Sequence, residues 1–144
     1  MANGLYLPTF EAALENTKAI DLAGDTFKMA LVTSSYTADF DVHDEWADAS
    51  ANEASGTGYT AGGQALTTVT FSGSSGTLTF DCDDVSWASS TISSAAAAVI
   101  YDDTVAGDPL LVYLDFGGTF STGGSSTFKV TIPASGVFTL DLTP

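Results

Sequence analysis

The chain has 144 residues, of which 44% are hydrophobic, and this is enough to bury one core without disulfides or a structural metal. A single domain is therefore expected, while a disordered chain and a small disulfide-stapled scaffold are excluded. Eighteen acidic residues stand against three lysines and no arginine, which gives a formal net charge of −15. Because the chain has so few cations to bind a phosphate backbone, unaided nucleic-acid binding is excluded as well.

The sequence lacks the patterns of a disulfide framework and of a membrane span. Cys82 is the only cysteine, so neither an intrachain disulfide nor a cysteine-rich zinc site can form. Pro8 and Glu11 interrupt the segment where a secretory signal peptide would be uniformly apolar. The longest apolar run covers residues 95–101, well short of the ~20 residues that span a bilayer. We expect a soluble protein that does not contact membranes.

The first part of the chain predicts a helix or arm, one strand and a long excursion. Residues 9–17 are rich in helix formers, and we expect residues 1–18 to form a short N-terminal helix or an extended arm. Alternating apolar residues predict a strand over residues 26–33. Residues 34–63 show little periodicity apart from a short helix expected near residues 44–49. Such a long excursion is usually functional or docked on a neighbour.

The rest of the chain is typical of an all-β fold with about eight short strands in total. The predicted strands are 65–71, 77–81, 85–87, 97–101, 110–116, 127–132 and 137–142, with a hairpin turn at 72–76 and a Gly/Ser/Thr loop at 117–126. Residues 110–114 are apolar on both faces, which predicts a strand covered on both sides, by a second sheet and by the excursion or a neighbouring subunit. Together these elements predict one jelly-roll-like β-sandwich domain over residues 1–144.

Residues suited to catalysis are few. His43 is the only histidine, so any Ser/His/Asp or Cys/His arrangement would depend on it. Cys82 follows Leu78 and Phe80 in strand alternation, which indicates a small buried hydrophobe and not a reactive thiol. We predict no enzymatic activity and no catalytic, cofactor-binding or metal-binding residue.

Acidic residues form three clusters whose oxygen atoms are of the kind that binds Ca²⁺. The clusters are Asp39, Asp41, Asp44, Glu45 and Asp48; Asp81, Asp83 and Asp84; and Asp102 and Asp103. None has the spacing of a calcium-binding loop, so a solvated acidic surface is the preferred interpretation. A glycosidase acid and base is a weaker alternative, because it requires a carboxylate separation that the sequence does not specify.

Aromatic residues and glycines are further candidates for binding. A sugar-stacking platform would draw on Trp46, Trp87, Tyr36, Tyr59, Tyr101 and Tyr113. Strand alternation, however, places Trp87 and Tyr101 in the interior of a sheet. The glycines at 56, 58, 62 and 63 lack the Lys and Ser/Thr of a phosphate-binding loop. They predict a backbone that passes close to something else, such as a neighbouring chain.

Several residue strings occur in an informative order. They are Ala30-Leu31-Val32-Thr33-Ser34, Asp41-Val42-His43-Asp44-Glu45, and then residues 52–63, which read Asn-Glu-x-Ser-Gly-x-Gly-Tyr-x-x-Gly-Gly; residues 83–92, 98–101 and 110–117 follow. Over residues 19–142 the chain resembles small structural proteins of tailed bacteriophages and prophages. The string at 52–63 is the most specific part of the resemblance.

The resemblance implies a virion component without enzymatic residues, made in the host cytoplasm. Packaged DNA would repel a chain of charge −15, so we favour a decoration, or cement, protein on the outer surface of the capsid. The expected partners are the major capsid protein and further copies of the chain. A trimer is expected from the resemblance, because decoration proteins commonly occupy threefold positions.

Contacts with these partners are expected from the N-terminal arm and the glycine-rich loop. Leu5, Leu7 and Phe10 are apolar residues near the terminus, and exposed apolar patches usually mark contacts. Three alternatives stay open: a head-fibre, tail or adaptor subunit of the virion, a carbohydrate-binding β-sandwich supported by the aromatic residues and, more distantly, a hydrolase.

Overall fold

The computed structural model describes residues 1–144 and contains ten strands and two helices. The strands are β1 (Gly4–Leu5), β2 (Phe27–Thr33), β3 (Gln64–Ala65), β4 (Thr70–Ser74), β5 (Thr77–Asp81), β6 (Val85–Ser90), β7 (Ala95–Asp102), β8 (Leu110–Phe120), β9 (Ser126–Val130) and β10 (Phe138–Asp141). The helices are α1 (Leu7–Leu14) and α2 (Trp46–Ser50). Neither helix is long and apolar enough to cross a membrane.

The strands form three antiparallel sheets. The largest has five strands in the order β1-β8-β7-β2-β3, the second has the order β10-β5-β4, and the third pairs β6 with β9. Consecutive strands β4 and β5 pair directly, as do β7 and β8, because short connections favour antiparallel neighbours. The prediction of an all-β, sandwich-like single domain with a short N-terminal helix is confirmed.

The five-stranded sheet is buried on both faces. Met29 and Ile100 on one face share a core with Phe80, Trp87 and Phe128 of the two smaller sheets. A second core lies on the opposite face and contains Tyr6, Ala30, Val32, Tyr36, Ala49, Ala97, Val99, Tyr101, Leu110 and Tyr113. Continuous apolar runs in β2, β7 and β8 are explained by this double burial.

The cover on the second face comes from the chain's own excursion. Tyr36 and Ala49 lie within residues 34–63 and are buried against the sheet. The ring of Tyr113 in β8 lies 6.1 Å from each of the rings of Tyr36 and Phe40, measured between centroids. The prediction of a strand at 110–114 covered on both sides is therefore confirmed, with this segment as the second cover.

The predicted hairpin exists, but its first strand has different bounds. Ser75 and Gly76 form a two-residue turn with φ values of 51° and 81°, the signature of a type I′ turn, which matches the twist of antiparallel strands. The predicted strand at 65–71 is wrong as one element, because β3 ends at Ala65 and β4 begins at Thr70. Thr68 between them has a φ of 53°, and this left-handed turn redirects the chain from one sheet to another.

Most other boundaries also differ from the prediction, and two of them affect the exposed surface. α1 covers Leu7–Leu14 and not residues 9–17; its second residue, Pro8, has a fixed φ that suits the first turn of a helix. β8 continues to Phe120, so the loop predicted from residue 117 begins later. The register of β7 and β8 shifts between Ala95 and Ala97, which leaves residues 116–119 of β8 without partners in β7. Gly117 and Gly118 lie in this unpaired part, so they do not weaken the ladder.

Candidate functional site

His43 takes part in a hydrogen-bonded row of aromatic side chains. Its Nδ1 atom lies 3.0 Å from the hydroxyl of Tyr36, and that hydroxyl lies 2.9 Å from the hydroxyl of Tyr6. Burial is the main cause that raises the pKa of Tyr6 and of Tyr36, so both hydroxyls stay protonated at neutral pH. These hydrogen bonds connect His43 and Tyr36 of the excursion to Tyr6 of the N-terminal segment. His43 therefore helps to hold the excursion in place.

Cys82 lies immediately after β5 in the core, as its alternation with Phe80 predicts. The side chain is buried with Phe80 and Val85, and burial, followed by the charges of neighbouring aspartates, raises the pKa of the thiol to about 11. A thiol with a raised pKa is a poor nucleophile at neutral pH. His43 makes its contacts on the opposite face of the five-stranded sheet, so the fold does not pair these two residues.

The segment at residues 52–63, here called the glycine clasp, is tied down by one carboxylate and one tyrosine. The Glu53 Oε1 atom accepts hydrogen bonds of 2.7 Å from the Tyr59 hydroxyl and from the Gly62 amide. The Tyr59 hydroxyl in turn accepts a bond of 2.9 Å from the amide of Leu31 in β2. A polar segment is thereby fixed against the edge of the main sheet.

Glycines in the clasp are required where the backbone meets the sheet. A Cβ atom on Gly63 would overlap the carbonyl oxygen of Met29, and one on Gly56 would overlap that of Thr91. Gly63 also has a φ of 79°, a conformation that costs other residues free energy. The predicted close approach is therefore made to this chain's own backbone, and the most specific string of the resemblance has a structural role within the domain.

Most acidic clusters lie at the surface, as predicted, but Asp102 does not. Asp102 is fully buried, which corrects the interpretation of the third cluster as a solvated surface. Its Oδ1 atom accepts hydrogen bonds of 2.8 Å and 3.2 Å from the amides of Thr104 and Val105. Its Oδ2 atom is buried without a donor, and the nearby carboxyl group of Asp25 can bond to it only when one of the two is protonated.

Burial and this second carboxyl group affect the ionisation of Asp102. Burial, the larger cause, raises the pKa of Asp102 to about 6, and Asp25 acts in the same direction. The two backbone amides act in the opposite direction. No group of three or more His, Cys, Asp and Glu side chains converges in a way that could hold a metal ion.

The six aromatic residues considered for sugar stacking lie mainly in the core. Trp87, Tyr36, Tyr101 and Tyr113 are buried. The ring of Trp46 stacks on Tyr101 with a centroid distance of 4.9 Å and an interplanar angle of 7°. Tyr59 is half-buried and held by its hydrogen bonds in the clasp. These side chains therefore do not form an exposed stacking platform, which removes the observation behind the carbohydrate-binding alternative.

The N-terminal segment presents apolar side chains to solvent, but of the three that the sequence indicated only Leu7 is exposed. Leu5 packs against the core, and the ring of Phe10 lies 5.7 Å from that of Phe138. Leu7 is 54% exposed and Leu14 is 89% exposed. These two leucines are seven positions apart, so they lie on the same side of α1. We call this side of the helix the leucine face.

A second exposed apolar region lies at the far end of β8. An open cleft of about 420 Å³ is lined by Phe116, Phe120, Ser121, Thr122, Thr127, Phe128, Lys129, Val130 and Thr131. Phe120 is 51% exposed. This region, here called the Phe120 cleft, was missed by the sequence analysis because residues 117–126 were interpreted as a loop. The spacing of Phe116 and Phe120 on a continued strand is the signal that would have indicated it.

Comparison with protein-family models, curated proteins and solved structures found no match to this chain. The surface of the domain is therefore the remaining source of information on its function. That surface offers the leucine face, the Phe120 cleft and an uneven distribution of charge.

Proposed function

We propose that the protein is a non-enzymatic structural subunit of a tailed-phage virion, bound as a decoration protein to the outer surface of the capsid. The proposal combines the resemblance of residues 19–142 with one observation of the structure: each of the three lysines is already paired with a carboxylate. The protein has no free lysine to offer a phosphate backbone, and this supports a position away from packaged DNA.

The ion pairs are close enough to neutralise the lysines locally. The Nζ atom of Lys28 lies 3.0 Å from Asp103, and that of Lys129 lies 2.7 Å from Asp84. Lys18 lies 3.5 Å from Glu45. Apart from the buried Asp102, the remaining acids are exposed or partly exposed, and a Debye length of ~8 Å at physiological salt screens them on the outside of a particle. Against dense polyphosphate the same charges would repel.

The leucine face is the surface that we assign to the capsid. Leu7 and Leu14 are exposed on α1, and Glu11 lies on the same side between them. Apolar side chains interspersed with a carboxylate fit a capsid surface that carries apolar and basic groups, because apolar burial supplies affinity while charge selects the partner. Two neighbouring capsid subunits would be bridged by this helix and the acidic excursion beside it.

Location within the virion tests the proposal directly. Cryo-electron microscopy of particles, or gold-labelled antibodies against this chain, should place it on the outside of intact heads. Labelling confined to tails or fibres would favour the head-fibre, tail or adaptor alternative and would overturn the decoration role. Specific binding of the isolated protein to a glycan array, without binding to capsids, would instead favour a carbohydrate-binding module.

A stabilising role makes a second testable prediction. A ligand that binds the assembled state raises its stability by mass action, so particles that lack this protein should release DNA at a lower temperature. Adding the wild-type protein should restore the release temperature, while the double variant Leu7→Asp, Leu14→Asp should fail to do so. Leu142→Asp is a matched control, since Leu142 is 65% exposed but lies outside the leucine face. Equal heat stability with and without the protein would contradict the role.

A further inference from the structure

No acidic residue lines the Phe120 cleft, and the carboxylate of Asp84 beside it is paired with Lys129 at 2.7 Å. Residues 54–80, 85–101 and 116–140 contain no Asp or Glu, and Lys129 is their only charged residue. These ranges supply β6, β9 and the far part of β8, and the Phe120 cleft lies among them. In a chain with a net charge of −15, a second acidic molecule therefore meets little repulsion at this cleft.

The Phe120 cleft follows the open edge of a strand. β9 pairs only with β6, and no hydrogen bond outside that ladder involves the backbone of residues 127–130. Five consecutive residues, 127–131, line the cleft. Since alternate side chains of a strand point to opposite faces, a run of five can line one cleft only where the cleft follows the backbone edge. Unpaired amide and carbonyl groups are therefore available there.

The side chains around this edge suit a further strand. Phe116 and Phe128 lie 6.0 Å apart between ring centroids, and Phe116 lies 6.3 Å from Phe120. They form an apolar wall beside the edge. A lysine in an edge strand often discourages pairing with another strand, because its charge would have to be buried. The ammonium of Lys129, however, lies 2.7 Å from the Asp84 carboxylate, so its charge is already neutralised.

We propose that β9 pairs edge to edge with β9 of a second copy of this chain, which joins the two β6–β9 sheets into one four-stranded antiparallel sheet. Backbone hydrogen bonds supply the contact, and the three phenylalanines of each copy cover it. The same patch is used on both copies, so the symmetry is twofold. A dimer follows, in place of the trimer expected from the resemblance. The pairing goes beyond the capsid-binding role and does not depend on it.

The salt dependence of association distinguishes a second copy of this chain from a basic partner at the cleft. Two copies of this chain repel each other through their acidic surfaces, even when the surfaces in contact are the Phe120 clefts. Added salt screens this repulsion. Self-association should therefore strengthen as salt is added. A basic partner bound by charge attraction would show the opposite dependence.

Sedimentation of the full-length protein over a range of concentration and salt tests the proposal. Wild-type protein should form dimers more readily at high salt. Phe120→Asp should weaken dimerisation by roughly tenfold or more, because it places an unpaired carboxylate in the contact. Leu142→Asp adds the same charge at another exposed apolar position and should leave the dimer unchanged. A monomer at every salt concentration, or equal dimerisation of Phe120→Asp and wild type, would overturn the proposal.

Amide hydrogen exchange identifies the edge independently of the variants. Dimerisation should slow exchange at those amides of residues 127–130 that point away from β6 in wild-type protein at high concentration, and dilution should restore fast exchange. Protection that appears elsewhere in a dimer would assign the contact to another surface. Protection of β9 only after binding to capsids would assign the edge to a strand of a different protein, and the self-pairing proposal would be wrong while the decoration role stands.

Discussion

The glycine clasp and the end of β8 are both rich in glycine, yet their packing is opposite. Added Cβ atoms on Gly56 and Gly63 would overlap backbone carbonyl groups of distant parts of the chain. Added Cβ atoms on Gly117, Gly123 or Gly124 would meet nothing within 4 Å. Glycine in the clasp lets two backbones touch, whereas glycine near the Phe120 cleft leaves space open to solvent. The composition is alike, but only in the clasp do the glycines allow close contact between two backbones.

The largest expected effect is that of filling the closest contact in the clasp. Gly63→Ala should lower the free energy of unfolding by roughly 3 kcal/mol or more, because the methyl group meets the Met29 carbonyl and φ is 79°. Urea denaturation followed by circular dichroism measures this. Gly123→Ala is the matched control in the open region. If the two variants unfold at the same urea concentration, the distinction between clamped and open glycines fails.

Removing the hydroxyl at the centre of the clasp should have the next largest effect. Tyr59→Phe leaves the Leu31 amide without its acceptor and deprives Glu53 of one donor, which should cost about 1 to 3 kcal/mol of unfolding free energy. Tyr113→Phe is the control, since the Tyr113 ring is also buried. Its hydroxyl makes no hydrogen bond within the protein. If both variants lose the same free energy of unfolding, the hydrogen bonds of the Tyr59 hydroxyl do not stabilise the clasp.

Asp102 extends the comparison to buried carboxylates, because Glu53 has donors and the Asp102 Oδ2 atom has none. Folding raises the pKa of Asp102 from 3.8 to about 6. The folded state therefore binds the proton more tightly, and the stabilisation is fully present below pH 3.8. It is lost as the pH rises through about 6.

Asp102→Asn isolates this contribution. The amide keeps an acceptor for Thr104 and Val105 and offers Asp25 a donor. At pH 8 the variant should be more stable than wild type by roughly 1 to 2 kcal/mol, and this difference should shrink as the pH falls below about 6. Urea denaturation at several pH values measures it, with Asp41→Asn as a control at an exposed carboxylate. If the stability difference between Asp102→Asn and wild type does not depend on pH, the titration of Asp102 is not its cause.

The smallest effects are expected in the open region itself. Gly123→Ala should change the free energy of unfolding by no more than about 0.5 to 1 kcal/mol, in the stabilising direction, because it mainly restricts the unfolded chain. Gly124→Ala should destabilise by about 1 kcal/mol, since Gly124 has a φ of 65°. Thermal unfolding of the two variants separates these signs. If Gly123→Ala lowers the free energy of unfolding as much as Gly63→Ala does, the loop that contains Gly123 is packed against another surface in solution.

Features that depend on neighbours in the chain were predictable. Alternation placed β2 within one residue of its observed bounds, and the Ser75-Gly76 turn follows from the local conformations that these residues allow. Two-sided apolar composition correctly indicated that β8 is covered on both faces. The burial of Cys82 followed from its alternation with Phe80. Each of these inferences uses residues that are close in sequence.

Features that depend on distant segments were decided by the tertiary structure. The sequence determined an acidic, all-β domain and its main strands, because backbone periodicity and turn chemistry act over a few residues. It did not determine that residues 52–63 clasp β2, that Asp102 is buried beside Asp25, or that β8 extends to the Phe120 cleft. Burial, steric exclusion and pKa values arise from atoms that meet only after folding, and no local pattern encodes which atoms these are.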